Sequence, residues 1–256
     1  MTVIMGLLCN DGIVIGSDSA VTFSNVNIPT IEQECIKIDI YHKKVILAGT
    51  GEVGLCQRFG LIIERYWLNE NILDVKHNID IGKDLSRFAL QDFSYTFKNP
   101  GTFGAIVAFP HKNDFCLCEF ALKDFQPEFK NYKIWYVSMG IGQNIADTLL
   151  GIIKHYFMQE GMPNLQQGIF YLLWVLQNTI ELSPLGIKGP SQIATLSRLK
   201  NNNYEAKILK KEDLSDHLEN IDGFEKHIRE YKEVLEGIST KIKIPKIPDF
   251  SKQKIN

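Results

Sequence analysis

The sequence has little of what marks secreted, membrane-spanning or nucleic-acid-binding proteins. Its five cysteines are odd in number and form no C-x-x-C pair, which argues for reduced thiols in the cytoplasm. The formal net charge of −2 provides no basic surface for nucleic acid. The apolar run Ile169–Leu176 is far shorter than the roughly 20 residues of a membrane span, and Asp11 interrupts the apolar start where a signal peptide would lie. We therefore expect a cytoplasmic globular protein with neither nucleic acid nor membrane as a partner.

Metal and cofactor motifs are also lacking. The six histidines show no H-E-x-x-H or similar spacing, so we expect no metal. The segment Gly49-Thr50-Gly51-Glu52-Val53-Gly54 reads G-x-G-x-x-G after a predicted strand, which is the dinucleotide-binding pattern. That pattern requires a parallel βαβ unit with an acidic residue about 20 residues further on. A second helical pattern follows here instead, so we expect no dinucleotide cofactor.

What the sequence does have is Thr2, directly after the initiator Met1. Removal of Met1 would leave a hydroxyl and a free α-amine on one residue, and that amine is the base that a threonine nucleophile requires. A free α-amine has an unperturbed pKa of about 7.7–8.0, so a useful fraction is neutral near pH 7. Methionine aminopeptidases accept a small second residue, so we expect Met1 to be removed.

A hairpin should bring an aspartate back beside Thr2. Residues 2–9 are apolar enough for a buried strand, and residues 12–18 form a second apolar strand. Asn10-Asp11-Gly12 supplies the turn between them, because Asp-Gly tolerates the positive φ of a tight loop. The second strand then runs antiparallel to the first, and Asp18 is predicted near the level of Thr2.

A lysine follows in a strand pattern. Residues 36–40 alternate, with Lys37 between two isoleucines, so we predict that Lys37 lies on a different face from both of them. If that face is the cleft, Lys37 pairs with Asp18 and lowers the proton affinity of the Thr2 hydroxyl. Another strand, residues 44–48, ends directly before Gly49.

These segments resemble a known family. The run T-V-I-M-G-L-L-C-N-D-G-I-V-I-G-S-D-S, then I-K-I, then V-I-L-A-G-T-G, is similar to the catalytic half of proteasome β subunits and to the peptidase ring of the bacterial two-component ATP-dependent protease. The resemblance implies Thr2 as nucleophile, Asp18 and Lys37 as its partners, and the Gly49 N–H as oxyanion donor. It also implies the α+β fold of N-terminal nucleophile hydrolases, a four-layer αββα sandwich of two antiparallel sheets flanked by helices.

The sequence departs from the family at residues that support the α-amine. The glycine–serine–glycine motif of the family reads Gly140-Ile141-Gly142 here, and isoleucine has no hydroxyl. The later aspartate and serine have no clear counterpart in residues 182–190. Ser138 or Ser183 is the alternative source of that hydroxyl. Both an active hydrolase and a degenerate one therefore remain open.

The rest of the chain fits one hydrolase domain, residues 1–210, followed by a C-terminal helix and an extended basic tail, residues 211–256. Strand patterns alternate with pairs of helical patterns, which is typical of helices on both outer faces of stacked sheets. The four apolar stripes at helical spacing are Leu55, Phe59, Ile62 and Tyr66; Leu85, Phe88, Ala89 and Phe93; Ile145, Leu149, Ile152, Ile153 and Tyr156; and Leu165, Ile169, Leu172, Leu176 and Ile180.

The functional expectation follows from the resemblance. It implies a threonine-type endopeptidase that cleaves peptides or unfolded proteins inside a homo-oligomeric ring, with an ATP-dependent unfoldase as partner. Two alternatives stay open. One is a catalytically silent structural or regulatory ring subunit, and the other is an amidase for a small substrate that uses the same nucleophile outside a ring.

Overall fold

A computed structural model describes residues 2–23, 31–69, 76–96, 102–159, 161–183 and 186–236. The chain divides into two compact units, Met1–Ile208 and Leu209–Asn256. The strands are β1 (Val3–Cys9), β2 (Gly12–Ser17), β3 (Ala20–Phe23), β4 (Ile31–Glu34), β5 (Ile38–Tyr41), β6 (Val45–Gly51), β7 (Phe103–His111), β8 (Asp114–Phe120), β9 (Pro127–Phe129), β10 (Tyr136–Gly140), β11 (Gln192–Arg198) and β12 (Tyr204–Ile208). The helices are α1 (Val53–Trp67), α2 (Asn78–Phe93), α3 (Gln143–Tyr156), α4 (Leu165–Leu182) and α5 (Lys211–Leu235).

The first unit is a four-layer sandwich. One antiparallel sheet has the strand order β10-β1-β2-β11-β12, and the other has the order β5-β6-β7-β8-β9. Helices α3 and α4 pack on the first sheet, α1 and α2 pack on the second, and the two sheets pack face to face. The predicted αββα architecture is confirmed. Because β7 runs antiparallel to β6, the glycine pattern that begins at Gly49 does not open a parallel βαβ unit.

The two strands that carry the site are buried on both faces. Every residue of β1 and β2 is buried, because α4 covers one side of these strands and the second sheet covers the other. This two-sided burial explains why both strands read as continuous apolar runs rather than alternating ones. At Gly16 the packing is so close that a Cβ would lie 2.1 Å from Leu172 Cδ2. Thr2 and Asp18 therefore flank a rigid hairpin.

The β1–β2 turn forms where predicted, but for another reason. Cys9 pairs with Gly12, yet none of the turn residues has a positive φ. The Asp11 carboxylate instead accepts a hydrogen bond from the Leu165 N–H at 2.6 Å, at the start of α4. Aspartate is suited to this position because its side chain satisfies a backbone N–H at a helix N-terminus.

Two stripe predictions were partly wrong. In α3 the buried residues are Ala146, Leu150 and Ile153, and the predicted Ile152 and Tyr156 are 40% and 67% exposed. The sequence offers two overlapping apolar stripes on this helix, and packing on the sheet selects the one with the small alanine. In α2 Phe88 is likewise exposed. The stripe predicted for α4 is confirmed at Leu165, Ile169, Leu172 and Leu176.

In the second unit, α5 lies at the start of residues 211–256, where a C-terminal helix and a basic tail were predicted, and residues 237–256 lie outside the described residues. Ion pairs at i,i+4 spacing, such as Lys226–Glu230 and Lys232–Glu236, support the helix. None of the described helices combines the length and the apolar character that a membrane span needs. All five cysteines are free thiols.

The contact between α1 and α2 contains a carboxylate whose ionisation should stabilise the fold. Burial raises the pKa of Asp84, but hydrogen bonds from Lys76 and Tyr66 and the charges of Lys76 and Arg87 outweigh it, so the net pKa is lowered. A lowered folded-state pKa stabilises the protein above the unfolded value of about 3.9, and this stabilisation is lost as the pH falls through the folded value.

We expect Asp84→Asn to lower the free energy of unfolding by about 1–3 kcal/mol at pH 7. Denaturant titrations from pH 7 down to pH 3 should show the difference from wild type shrinking below about pH 4. Asp80→Asn is the control, because Asp80 forms a 3.4 Å pair with Lys83 at the surface. A difference that stays constant from pH 7 to pH 3 would mean that the charge of Asp84 does not stabilise the fold.

Candidate active site

Thr2, Asp18 and Lys37 meet at the open end of the β1–β2 hairpin. The Lys37 ammonium donates to Asp18 Oδ1 at 2.8 Å and to Thr2 Oγ1 at 3.1 Å. Only 5% of the Lys37 side chain and none of the Asp18 side chain is exposed to solvent. Three residues that lie up to 35 positions apart in sequence thus form one buried polar chain ending at the Thr2 hydroxyl.

Asp18 is held by the backbone as well as by Lys37. Its Oδ1 accepts from the Val3 N–H at 3.0 Å, and its Oδ2 accepts from the Ala20 N–H at 3.2 Å. A fully buried carboxylate is tolerated only when it is paired and hydrogen-bonded, and Asp18 meets both conditions. The Asp18–Lys37 pair is therefore fixed in position, which keeps a positive charge against the Thr2 oxygen.

Lys37 reaches this place from outside a strand. The predicted strand 36–40 starts only at Ile38, and the two isoleucines do not share a face, since Ile36 is 73% exposed and Ile38 is 1% exposed. The alternation argument was therefore wrong in its premise. Its consequence holds: Lys37 points toward Asp18.

The main chain of Thr2 is fixed by the segment that carries the altered family motif. The Thr2 carbonyl accepts from the Ile141 N–H at 2.9 Å, and Val3 pairs with Gly140 at the end of β10. Gly140 has a φ of +97°, and a Cβ there would stand 2.2 Å from the Thr2 oxygen. Glycine is thus required at 140, whereas position 141 contributes its backbone and leaves its side chain 45% exposed.

The two serines considered as substitutes for the missing hydroxyl differ in placement. Ser138 lies opposite Met5, further along the strand pair, and its hydroxyl donates to Asp147 Oδ1 at 2.6 Å. Ser183 ends α4, where its N–H bonds to the Thr179 carbonyl. The Ser138 hydroxyl therefore donates its hydrogen bond to Asp147 and not to a group at Thr2.

A hydroxyl that was not identified from the sequence, that of Thr50, lies near the Thr2 carbonyl. Thr50 Oγ1 and the Thr2 carbonyl oxygen lie within 3.2 Å of one point, the position that a Cβ on Gly140 would occupy. Thr50 is buried and follows Gly49 in β6. A Cβ on Gly49 would meet Cys56 Sγ of α1 at 2.5 Å, so position 49 faces α1. The side chain of Thr50 therefore points to the opposite face of the sheet. Strand alternation after Gly49 was the signal that pointed to it.

Gly49 lies at a half-open strand edge. On one side β6 pairs with β7 through Gly49 and Ala105. On the other side the described ladder with β5 ends one residue earlier, at Ala48 paired with Ile38. An edge of this kind offers backbone groups to an extended chain. Gly49 is therefore placed where another extended chain can approach the strand.

The environment of the cysteines near the site favours the neutral thiol over the thiolate. Burial raises the pKa of Cys35. The charge of Lys37 lowers it, but those of Asp18 and Asp39 raise it further, so the net pKa is raised. Burial also raises the pKa of Cys56 to about 12. Because the thiolate is the reactive form, both side chains are weakly reactive thiols at neutral pH. Among the described residues, no group of three histidines, cysteines or carboxylates is arranged to hold a metal ion.

Comparisons with known proteins agree with the observed fold. The sequence model of the family described as "Proteasome subunit" matches residues 2–160. No curated protein matches the sequence significantly. Among solved structures, "Anbu (ancestral beta-subunit) from Yersinia bercovieri" is similar with a TM-score of 0.67 and 12% sequence identity, covering 96% of this chain and 99% of that chain. At this identity the structural likeness concerns the fold alone.

Proposed function

The chain belongs to the proteasome subunit family, and we propose on that premise that it is a threonine-type endopeptidase whose nucleophile is Thr2 after removal of Met1. The observation that carries the proposal is the 3.1 Å contact between Lys37 Nζ and Thr2 Oγ1, made while the same ammonium is bound by buried Asp18. A positive charge at that distance favours the ionised hydroxyl, which is the attacking form.

The proposed reaction proceeds in two steps. The Thr2 oxygen attacks the substrate carbonyl while its proton passes to the α-amine through a water, and the Gly49 N–H binds the developing oxyanion. The C–N bond then breaks, the leaving amine takes the proton, and an acyl ester remains on Thr2. Water hydrolyses that ester and restores the hydroxyl. Loss of one oxyanion donor typically lowers the rate by about 10²–10³-fold.

The proposal extends to substrate and setting. Peptides or unfolded polypeptides are the substrates, the reaction needs no metal or cofactor, and the protein acts in the cytoplasm. The subunits form a homo-oligomeric ring, as proteasome-family subunits usually do, with an ATP-dependent unfoldase as the partner that would supply unfolded chains. Five free thiols support the cytoplasmic assignment.

An outward apolar stripe on α3 supports self-association. Ile152 and Tyr156 are exposed on this helix, and Phe157 follows directly and is 51% exposed. Ile145 and Leu149 continue the stripe at helical spacing and are half-buried. An apolar stripe of this length on a monomer is unfavourable, and a second copy of the chain is the occupant that a ring would supply.

We expect native mass spectrometry to show a multiple of the 29.2 kDa subunit for the wild type and mainly smaller species for Ile152→Asp. The reason is that a charge placed in an apolar contact is desolvated without a partner. Asn144→Asp, on the polar side of the same helix, is the control and should assemble normally. A monomeric wild type, or an Ile152→Asp variant that assembles fully, would exclude α3 as the contact.

The proposal is tested by intact mass and covalent labelling. We expect the purified protein to lack Met1 and to gain one inhibitor mass from a peptide epoxyketone or β-lactone, with the adduct mapped to Thr2. The silent ring subunit is the second candidate, favoured by Ile141 in place of the family's serine. If protein that lacks Met1 forms no adduct and turns over no peptide, the silent ring subunit is supported and the threonine endopeptidase is overturned.

A further inference from the structure

The segment that bears Lys37 has no strand ladder to hold it. Strand β4 ends at Glu34 and β5 begins at Ile38, so residues 35–37 lie between the two strands. Their backbone groups bond elsewhere. The Cys35 N–H donates to the Ser19 carbonyl at 2.8 Å, which leaves the Cys35 carbonyl and the Lys37 N–H to be satisfied by other groups.

One side chain satisfies both of these groups. The Gln192 Oε1 accepts from the Lys37 N–H at 2.9 Å, and the Gln192 Nε2 donates to the Cys35 carbonyl at 2.7 Å. A primary amide carries an acceptor and a donor at a fixed separation, so it can replace the neighbouring strand that this segment lacks. Gln192 lies 155 positions beyond Lys37, and no local pattern links the two.

Gln192 is itself fixed to the strand that leads to Asp18. It is the first residue of β11 and pairs with Ser17 in β2, directly before Asp18. The backbone at Lys37 and the backbone at Asp18 are thus both attached to the β2–β11 strand pair. The Gln192 bridge adds a second link between these two backbones, beside the bond from the Cys35 N–H to the Ser19 carbonyl.

We propose that Gln192 is a positioning residue that holds the Lys37 ammonium in contact with both Asp18 and Thr2. It touches neither Thr2 nor any reacting atom and acts only through the backbone of residues 35–37. The two ammonium contacts, 2.8 and 3.1 Å, leave little room for movement. A displacement of about 1 Å in a catalytic site can lower the rate by as much as 10²-fold. The inference about rate rests on the proposed function; the inference about position does not.

The position of Lys37 is tested by crystal structures of Gln192 variants. Gln192→Met has a similar shape but neither donates nor accepts at the amide position, and Gln192→Glu keeps the acceptor for the Lys37 N–H. In Gln192→Met we expect the Lys37 Nζ–Asp18 Oδ1 distance to exceed about 4 Å, the outer limit of an ion pair. In Gln192→Glu the wild-type distance should be largely kept. An unchanged distance in Gln192→Met would overturn the proposal whether or not the protein is active.

Kinetics separate positioning from general destabilisation. The matched control is Gln167→Met, because the Gln167 side chain also accepts a backbone N–H, that of Asn164 at 3.0 Å, at the start of α4. We expect Gln192→Met to lower kcat by about 10–100-fold with KM within about twofold, Gln192→Glu to recover part of this, and Gln167→Met to retain kcat. Equal kcat in the two methionine variants would refute the effect on rate. A wild type without turnover would refute the proposed function and leave the crystallographic test decisive.

Discussion

Replacing Thr2 by alanine is expected to lower kcat for a fluorogenic peptide by about 10⁴-fold or more, because the attacking oxygen is removed. The variant should also fail to form an adduct with an epoxyketone or β-lactone. Thr2→Ser is the matched control, since it keeps a hydroxyl and an α-amine on one residue. Both variants keep the backbone contacts of residue 2, including the carbonyl that accepts from the Ile141 N–H, so folding should be unaffected.

The same experiment requires that Met1 has been removed from each variant. While Met1 is attached, the Thr2 nitrogen is an amide and cannot act as a base, so intact mass must be recorded for every preparation. A Thr2→Ala variant that lacks Met1 and turns over peptide as fast as wild type would place the chemistry at another residue. A fully active wild type that retains Met1 would rule out the α-amine as base.

Replacing Lys37 by methionine is expected to have large effects on both stability and activity. It leaves the Asp18 carboxylate, which has no exposed surface, without its cation. Removing one partner of a buried ion pair typically lowers the free energy of unfolding by about 3–5 kcal/mol. The loss of charge beside the Thr2 oxygen should lower kcat by about 10²–10³-fold in the proposed reaction. Denaturant unfolding at fixed protein concentration and steady-state kinetics measure the two effects.

A double variant separates the two effects. Adding Asp18→Asn to Lys37→Met removes the uncompensated charge, so we expect about 1–3 kcal/mol of stability to return while activity stays low. Recovery should be incomplete because the asparagine NH₂ must replace one of the two carboxylate oxygens, which accept hydrogen bonds from the Val3 N–H at 3.0 Å and the Ala20 N–H at 3.2 Å. Lys37→Arg serves as the control for charge. Strict additivity of the Asp18 and Lys37 substitutions in stability would contradict the buried pair as described.

The sequence predicted the residues of the site better than the reasons for their placement. Thr2, Asp18 and Lys37 do come together. The Asp11 turn, however, forms without a positive φ, and Lys37 lies before its strand rather than within it. Both arguments used local conformational preference, which is a weak guide wherever a long-range hydrogen bond, such as that from the Leu165 N–H to the Asp11 carboxylate, also holds the segment.

The residues that escaped prediction act across long sequence separations. Gln192 bonds to the backbone at Cys35 and Lys37, and Thr50 comes near Thr2 because β6 ends beside β10 at Gly140. In α3 packing buries Ala146 and Leu150, which the predicted stripe did not include, together with Ile153, which it did include. None of these outcomes has a signature within a window of neighbouring residues.

The sequence by itself determined the hairpin that joins Thr2 to Asp18, the lysine that pairs with that aspartate, and the order of strands and helices that builds the sandwich. The hairpin and the order of strands and helices follow from apolar periodicity, whereas the pairing of Lys37 with Asp18 and the four-layer sandwich were implied by the resemblance to proteasome β subunits. Only the tertiary structure decided which helix faces are buried, that Ser138 is bound by Asp147, and that an amide from β11 holds the backbone of residues 35–37. The physical reason is that a buried polar group takes whatever partner the packed chain brings within hydrogen-bonding distance, and periodicity says nothing about partners distant in sequence.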